Sequence, residues 1–215
     1  MFGLSLDDKE NQTIVPPTRL ELGPSQIVFV TGVSGGGKST LLRLIAESLA
    51  DIKGHETSGL PALVQMHTMP KLEEVALVDA LAHPEREGDK SMPAASLETV
   101  CRWLSLAGLN DAAVMLRRPG ELSEGQRHRL RLAQALAITE RRDEPWSILL
   151  ADEFGSSLDR PTAHALARCV RRRVSRCRTC LVAATAHDDL LEPLAPDVLV
   201  EVAPGGQCAV HTRNA

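Results

Sequence analysis

The chain has 215 residues, 43% of them hydrophobic, which is enough to bury one substantial α/β core. Its formal net charge of −4 gives no global case for a nucleic-acid partner, and no stretch approaches the ~20 apolar residues that a membrane-spanning helix needs. Five cysteines at scattered positions form no disulfide framework, and the N-terminus lacks the features of a signal peptide, so a cytoplasmic protein is expected.

Residues 7–19 are polar, carry Pro16-Pro17 and read as a loose lead. The apolar run Ile27–Thr31 predicts a strand, followed by Gly32-Val-Ser-Gly-Gly-Gly-Lys38-Ser39-Thr40 and an amphipathic stretch that begins Leu41-Leu42. This is the G-x-x-x-x-G-K-[ST] pattern in strand–loop–helix context. Its glycines let consecutive backbone N–H groups turn inward around a polyphosphate, and the helix N-terminus adds partial positive charge. Gly32, Ser34, Gly35, Gly36, Gly37, Lys38, Ser39 and Thr40 are therefore the candidate phosphate-binding residues. Lys38 would reach the β- and γ-phosphates, and the Ser39 hydroxyl would ligate Mg²⁺.

A second strand-like run closes at Gln65. Amphipathic runs around Leu72–Leu81 and Leu97–Leu106 follow, separated by the polar stretch His83–Pro93, and predict a helical subdomain over residues 70–139. It would be inserted in a core of residues 20–69 and 140–215, all within one domain. Leu122-Ser123-Glu124-Gly125-Gln126 then precedes the helical run Arg127–Ile138. Ser123 and Gln126 stand at capping-box positions and can simply start that helix. That does not account for the whole Leu-Ser-x-Gly-Gln string with Arg127, Arg129 and Arg131 behind it.

The hydrophobic strand Ser147–Ala151 ends in Asp152-Glu153. Asp152 sits where a carboxylate can hold Mg²⁺-bound water, and Glu153 can turn toward a water attacking the γ-phosphate. Ser157-Leu158-Asp159 comes soon after, and the strand Leu181–Ala184 ends in Thr185-Ala186-His187-Asp188. Gly205-Gly206, between Val200–Val202 and Cys208–Val210, predicts a terminal hairpin. Strands at 26–31, 60–65, 147–151, 181–185 and 197–202 alternate with helices, which predicts a mainly parallel sheet with helices on both faces.

In this order the five stretches resemble the ATP-binding cassette (ABC) ATPases, from Walker A through the LSGGQ signature, Walker B and D-loop to the switch histidine. The resemblance covers roughly residues 20–202 and implies a P-loop NTPase fold of ABC type, with ATP and Mg²⁺ as ligands. It implies Lys38, Glu153 and His187 as the catalytic set. Ser39, Asp152 and Gln65 would serve the metal, although Gln65 reads equally well as an ordinary polar strand end. It implies a homodimer formed around two ATP molecules, with Ser123, Gly125, Gln126 and Asp159 completing nucleotide sites.

The antiparallel β-region of transporter cassettes is largely missing, and Phe154 replaces the proline usual after the Asp-Glu pair. The stretches Gly120–Arg129, Ala151–Phe154 and Ser157–Arg160 through Thr185–Leu190 resemble a soluble branch of cassette ATPases, some members of which resemble cassettes linked to GNAT-type acetyltransferases. The leading expectation is a soluble ATPase acting on an unidentified protein partner. The alternatives are the ATP-binding subunit of a transporter with separate membrane chains, or a nucleic-acid-associated ATP switch. Arg168, Arg171, Arg172, Arg173, Arg176 and Arg178 crowd one predicted helix, which a solvated face with local ion pairs explains. Stacking aromatics are scarce, which disfavours nucleic acid.

Phe2 is the one aromatic upstream of the P-loop that could stack on a base. Stacking is worth ~1–3 kcal/mol, so without it GTP and ATP should bind within about tenfold of each other in titration calorimetry. Phe2→Ala should change neither affinity appreciably.

Overall fold

Side chains alternate across a sheet, and the two sets of apolar residues in these strands meet two different layers of helices. The computed structural model describes residues 19–53, 59–82, 95–141 and 145–213. Its strands are β1 (Ile27–Gly32), β2 (Ala62–Gln65), β3 (Ser147–Ala151), β4 (Thr179–Ala184), β5 (Val198–Val202) and β6 (Cys208–Thr212). They form one sheet in the order β2-β3-β4-β1-β5-β6. Every pairing is parallel except β5 with β6, the predicted hairpin. The expected mainly parallel α/β sheet is borne out, and the antiparallel region among the described residues is that one pair.

The helices are α1 (Lys38–Lys53), α2 (Leu77–Ala80), α3 (Leu97–Leu106), α4 (Ala112–Met115), α5 (Glu124–Arg141), α6 (Arg160–Val174) and α7 (Leu191–Leu194). Val28, Val30, Ile148, Leu150, Val182 and Val200 pack toward Leu41 and Leu42 of α1. Phe29, Leu149, Leu181 and Ala183 face the other way, into a cluster with Trp103, Leu104, Leu132, Leu136, Leu166 and Val170. The run Leu72–Leu81 is less helical than its pattern suggests, with only Leu77–Ala80 in α2. Long-range bonds take over there: the Leu77 N–H donates to the Arg117 carbonyl at 3.0 Å, and Glu74 accepts from the Gly120 N–H at 3.2 Å.

One carboxylate joins three helices. Glu140 of α5 accepts from the Trp103 indole N–H at 2.8 Å, from Arg102 at 2.9 and 3.2 Å, and from Arg173 of α6. Its side chain is only 15% exposed, so it is well screened from water. Arg171 likewise pairs with Asp197 at 2.7 Å, so part of the arginine cluster is spent on internal ion pairs. Glu140→Ala strands two guanidinium groups and a buried indole N–H, and should lower stability by about 2–3 kcal/mol in urea unfolding. Glu140→Gln keeps an acceptor for the indole and should lose less.

Candidate functional site: a P-loop cavity

Because β1, β3 and β4 run parallel, their carboxyl ends open on one edge of the sheet, where a ligand crevice is expected. Two hydrogen bonds hold the loops leaving that edge. The Phe154 N–H donates to the Ala184 carbonyl at 2.8 Å, and the Thr185 N–H to the Val30 carbonyl at 3.0 Å. The first gives a physical meaning to Phe154: proline at that position would have no N–H to donate, and the Phe154 ring is fully buried.

Gly32 ends β1 with φ of 142°, and a Cβ there would lie 2.1 Å from the Val202 carbonyl oxygen, so no side chain fits. Beyond it the Gly36 N–H donates to the Val33 carbonyl at 3.1 Å. The Lys38 ammonium donates to the carbonyls of Gly32 at 2.7 Å and Val33 at 2.8 Å, so it holds the loop closed on itself.

A cavity of about 320 Å³ lies over this loop. Ser34, Gly35, Gly37, Lys38, Ser39 and Thr40 line one side, and Asp152, Glu153, Ser156, Thr185 and Ala186 line the other. The structure thus brings Lys38, Ser39, Asp152 and Glu153 together around one space. Ser156, Thr185 and Ala186 were not picked out as site residues, although Thr185 and Ala186 directly precede His187 in the sequence. Ser39 and Asp152 offer a hydroxyl and a carboxylate, hard oxygen donors that suit Mg²⁺. No cluster of three or more His, Cys, Asp or Glu that could cage a metal occurs among the described residues. A site of that kind fits a cation that keeps phosphate and water as its other ligands.

Other predicted residues stand outside the cavity lining. Gly32 and Gly36 form the root and turn of the loop. Gln65 ends β2 opposite Leu150, half-buried. His187 is half-buried, and its backbone N–H donates to the Thr185 hydroxyl at 3.2 Å. At the head of α5 the capping box is real: Ser123 Oγ accepts from the Gln126 N–H at 3.2 Å, and Gln126 Oε1 accepts from the Ser123 N–H at 3.0 Å. Gly125 sits so close to the D-loop that a Cβ would lie 3.1 Å from the Ser157 carbonyl oxygen. Asp159 caps α6, accepting from the Thr162 N–H at 3.0 Å, and the Thr162 backbone and hydroxyl hold its carboxyl below the usual carboxylate range. Phe2, the lead before residue 19 and His83–Pro93 lie outside the described residues.

A parallel sheet whose first strand feeds a phosphate loop, with a second strand one place removed ending in paired carboxylates, defines a P-loop nucleoside triphosphatase. The family profile for ABC transporters matches residues 16–154. The lipoprotein-releasing system ATP-binding protein LolD 1 of Rhodopirellula baltica is 30% identical over 198 residues, covering 82% of this chain and 80% of that protein. This chain therefore belongs to the ABC transporter family and is an ATPase of the cassette type.

The methionine import ATP-binding protein MetN of Sodalis glossinidius is 28% identical over 209 residues, 87% of this chain and 57% of that one. Tylosin resistance ATP-binding protein TlrC of Streptomyces fradiae is 35% identical over 136 residues, of which the match spans only 22% of its length. The dimeric MJ0796 bacterial ABC transporter cassette shares the fold, with a TM-score of 0.66 at 19% identity, covering 94% of this chain and 91% of that one.

Glu153 carries φ of 51°, a left-handed conformation costly for a residue with a Cβ, and its N–H donates to Asp152 Oδ1 at 3.0 Å. Glu153→Gly and Glu153→Ala both remove the carboxylate and should both abolish turnover. Only glycine relieves the backbone, so Glu153→Gly should be the more stable of the two by about 1 kcal/mol in denaturant unfolding.

Proposed function

We propose that this chain is the ATP-binding subunit of a membrane transporter whose membrane-spanning parts are supplied by other polypeptides. The observation that carries this reading is the match to LolD 1 over four-fifths of both chains, joined to a P-loop cavity with its carboxylate pair in place. MetN, also similar over most of this chain, is likewise named for transport. This reading replaces the soluble partner-driving ATPase as the favoured one, since LolD 1 and MetN are named as ATP-binding proteins of a releasing system and of import. No described helix is long and apolar enough to cross a membrane, so the membrane path would come from partners. The subunit would sit at the cytoplasmic face.

In this proposal Lys38 leaves the Gly32 and Val33 carbonyls for the β- and γ-phosphates of ATP. Ser39 and Asp152, with Gln65 at the end of β2, would hold Mg²⁺, which supplies charge neutralisation on the triphosphate. Glu153 at the cavity mouth orients the attacking water and receives its proton. His187 reads the γ-phosphate from the neighbouring strand end. The helical subdomain of residues 70–139 carries the α5 head, where Ser123, Gly125 and Gln126 would meet the nucleotide of a second copy, with Asp159 beside them. Two copies related by a two-fold axis would enclose two ATP molecules.

Glu153→Gln should lower ATPase turnover at least a hundredfold while ATP binding stays within about threefold, because the carboxylate acts on the water and not on the bound ground state. Sedimentation of that variant should show a monomer without nucleotide and a dimer with Mg·ATP. In native cells the tagged protein should fractionate with membranes and leave them, in detergent, bound to a membrane-spanning protein. Recovery solely in a soluble assembly would refute the transporter reading.

A further inference from the structure

The turn that follows the switch histidine is strapped to the neighbouring loops by two adjacent carboxylates. Asp188 accepts from the Thr31 hydroxyl at the root of the P-loop. Asp189 accepts from Arg160 Nε at 2.8 Å and Nη2 at 2.6 Å, a two-pronged pair, and lies 2.7 Å from His164 Nε2. Arg160 and His164 belong to the first turns of α6, and Arg160 directly follows the D-loop residue Asp159. The third Arg160 nitrogen, Nη1, is buried without a hydrogen-bond partner among the described residues, so Asp189 carries the guanidinium's hydrogen bonding there.

The same segment touches the signature. A Cβ added at Gly125 would lie 3.1 Å from the Ser157 carbonyl and 3.5 Å from Leu158, and one added at Gly155 would lie 3.1 Å from Leu190, the buried residue next to Asp189, so these backbones run close together. A chain of contacts therefore runs from the α5 head through Ser157-Leu158 and Arg160 to Asp189, two residues beyond His187. Nothing in the reaction chemistry above uses Arg160, His164 or Asp189.

We propose that Asp189 is a positioning residue for His187: through Arg160 and His164 it makes the switch turn and the D-loop move as one piece. The clamp stands on this chain alone. Its use, to report contact at the α5 head to His187, rests on the two-copy arrangement proposed above. Arg160 is 37% and Asp189 42% exposed, so the pair adds little to global stability and its value is local.

Hydrogen exchange on the full chain without nucleotide tests the clamp directly. In Asp189→Ala the amides of residues 186–190 should exchange about tenfold faster, while the thermal midpoint hardly moves and Arg172→Ala leaves these amides unchanged. In steady-state hydrolysis Asp189→Ala should lower kcat about tenfold with the KM for ATP within about twofold, and the double variant with Arg160→Ala should be no worse than either single one. Unchanged amide exchange, or strictly additive losses in kcat, would overturn the proposal. If the amides loosen but Glu153→Gln forms no dimer with Mg·ATP, the clamp survives and the two-copy reading fails.

Discussion

The nucleotide cavity depends on hydrogen bonds that carry the sheet's pairing past the ends of its strands. Thr185 reaches back to Val30 and Phe154 to Ala184, so the loops after β4 and β3 are each tied to a backbone carbonyl of the strand alongside. Lys38 lies more than a hundred residues before Asp152 and Thr185, yet their spacing is inherited from one parallel register. A slip of one residue in β3 would send Asp152 to the opposite face and leave Phe154 without its buried place. The architecture of the site is thus a consequence of strand registry, with the loops adding the chemistry.

How much of this can be read from residues alone follows the range of the interactions. The phosphate loop, the capped start of α5, the carboxylate pair and the closing hairpin are local patterns, and the strands were legible because each is a short apolar run bounded by turn residues. The Glu140 hub, the Asp189 clamp and the left-handed backbone of Glu153 carry no local signature, because each is imposed by elements distant in sequence or by the turn between them. The run Leu72–Leu81 shows the converse. Its spacing suits a helix, but Leu77 and Glu74 find better partners far along the chain, at Arg117 and Gly120.

The phosphate loop is held in shape by contacts of its own. Gly32 is fixed by the Val202 carbonyl of β5, and Lys38 ties the loop's own carbonyls together. In the proposed function, binding would exchange one set of ammonium contacts for another, with little backbone ordering left to oppose it. Since β5 is also the partner of the exposed β6 strand, the shape of the loop is continuous with the far edge of the sheet.

The capped start of α5 has a consequence for reversibility. Its serine hydroxyl and glutamine side chain satisfy the Gln126 and Ser123 N–H groups from within. An anion presented there by another molecule must compete with ligands the helix brings along, so affinity reflects the difference between an external and an internal partner. When the anion leaves, these internal partners return and neither of the two N–H groups is stranded. In the proposed two-copy arrangement, a helix start of this kind would behave as a self-resetting contact, suited to an encounter that has to be made and undone repeatedly.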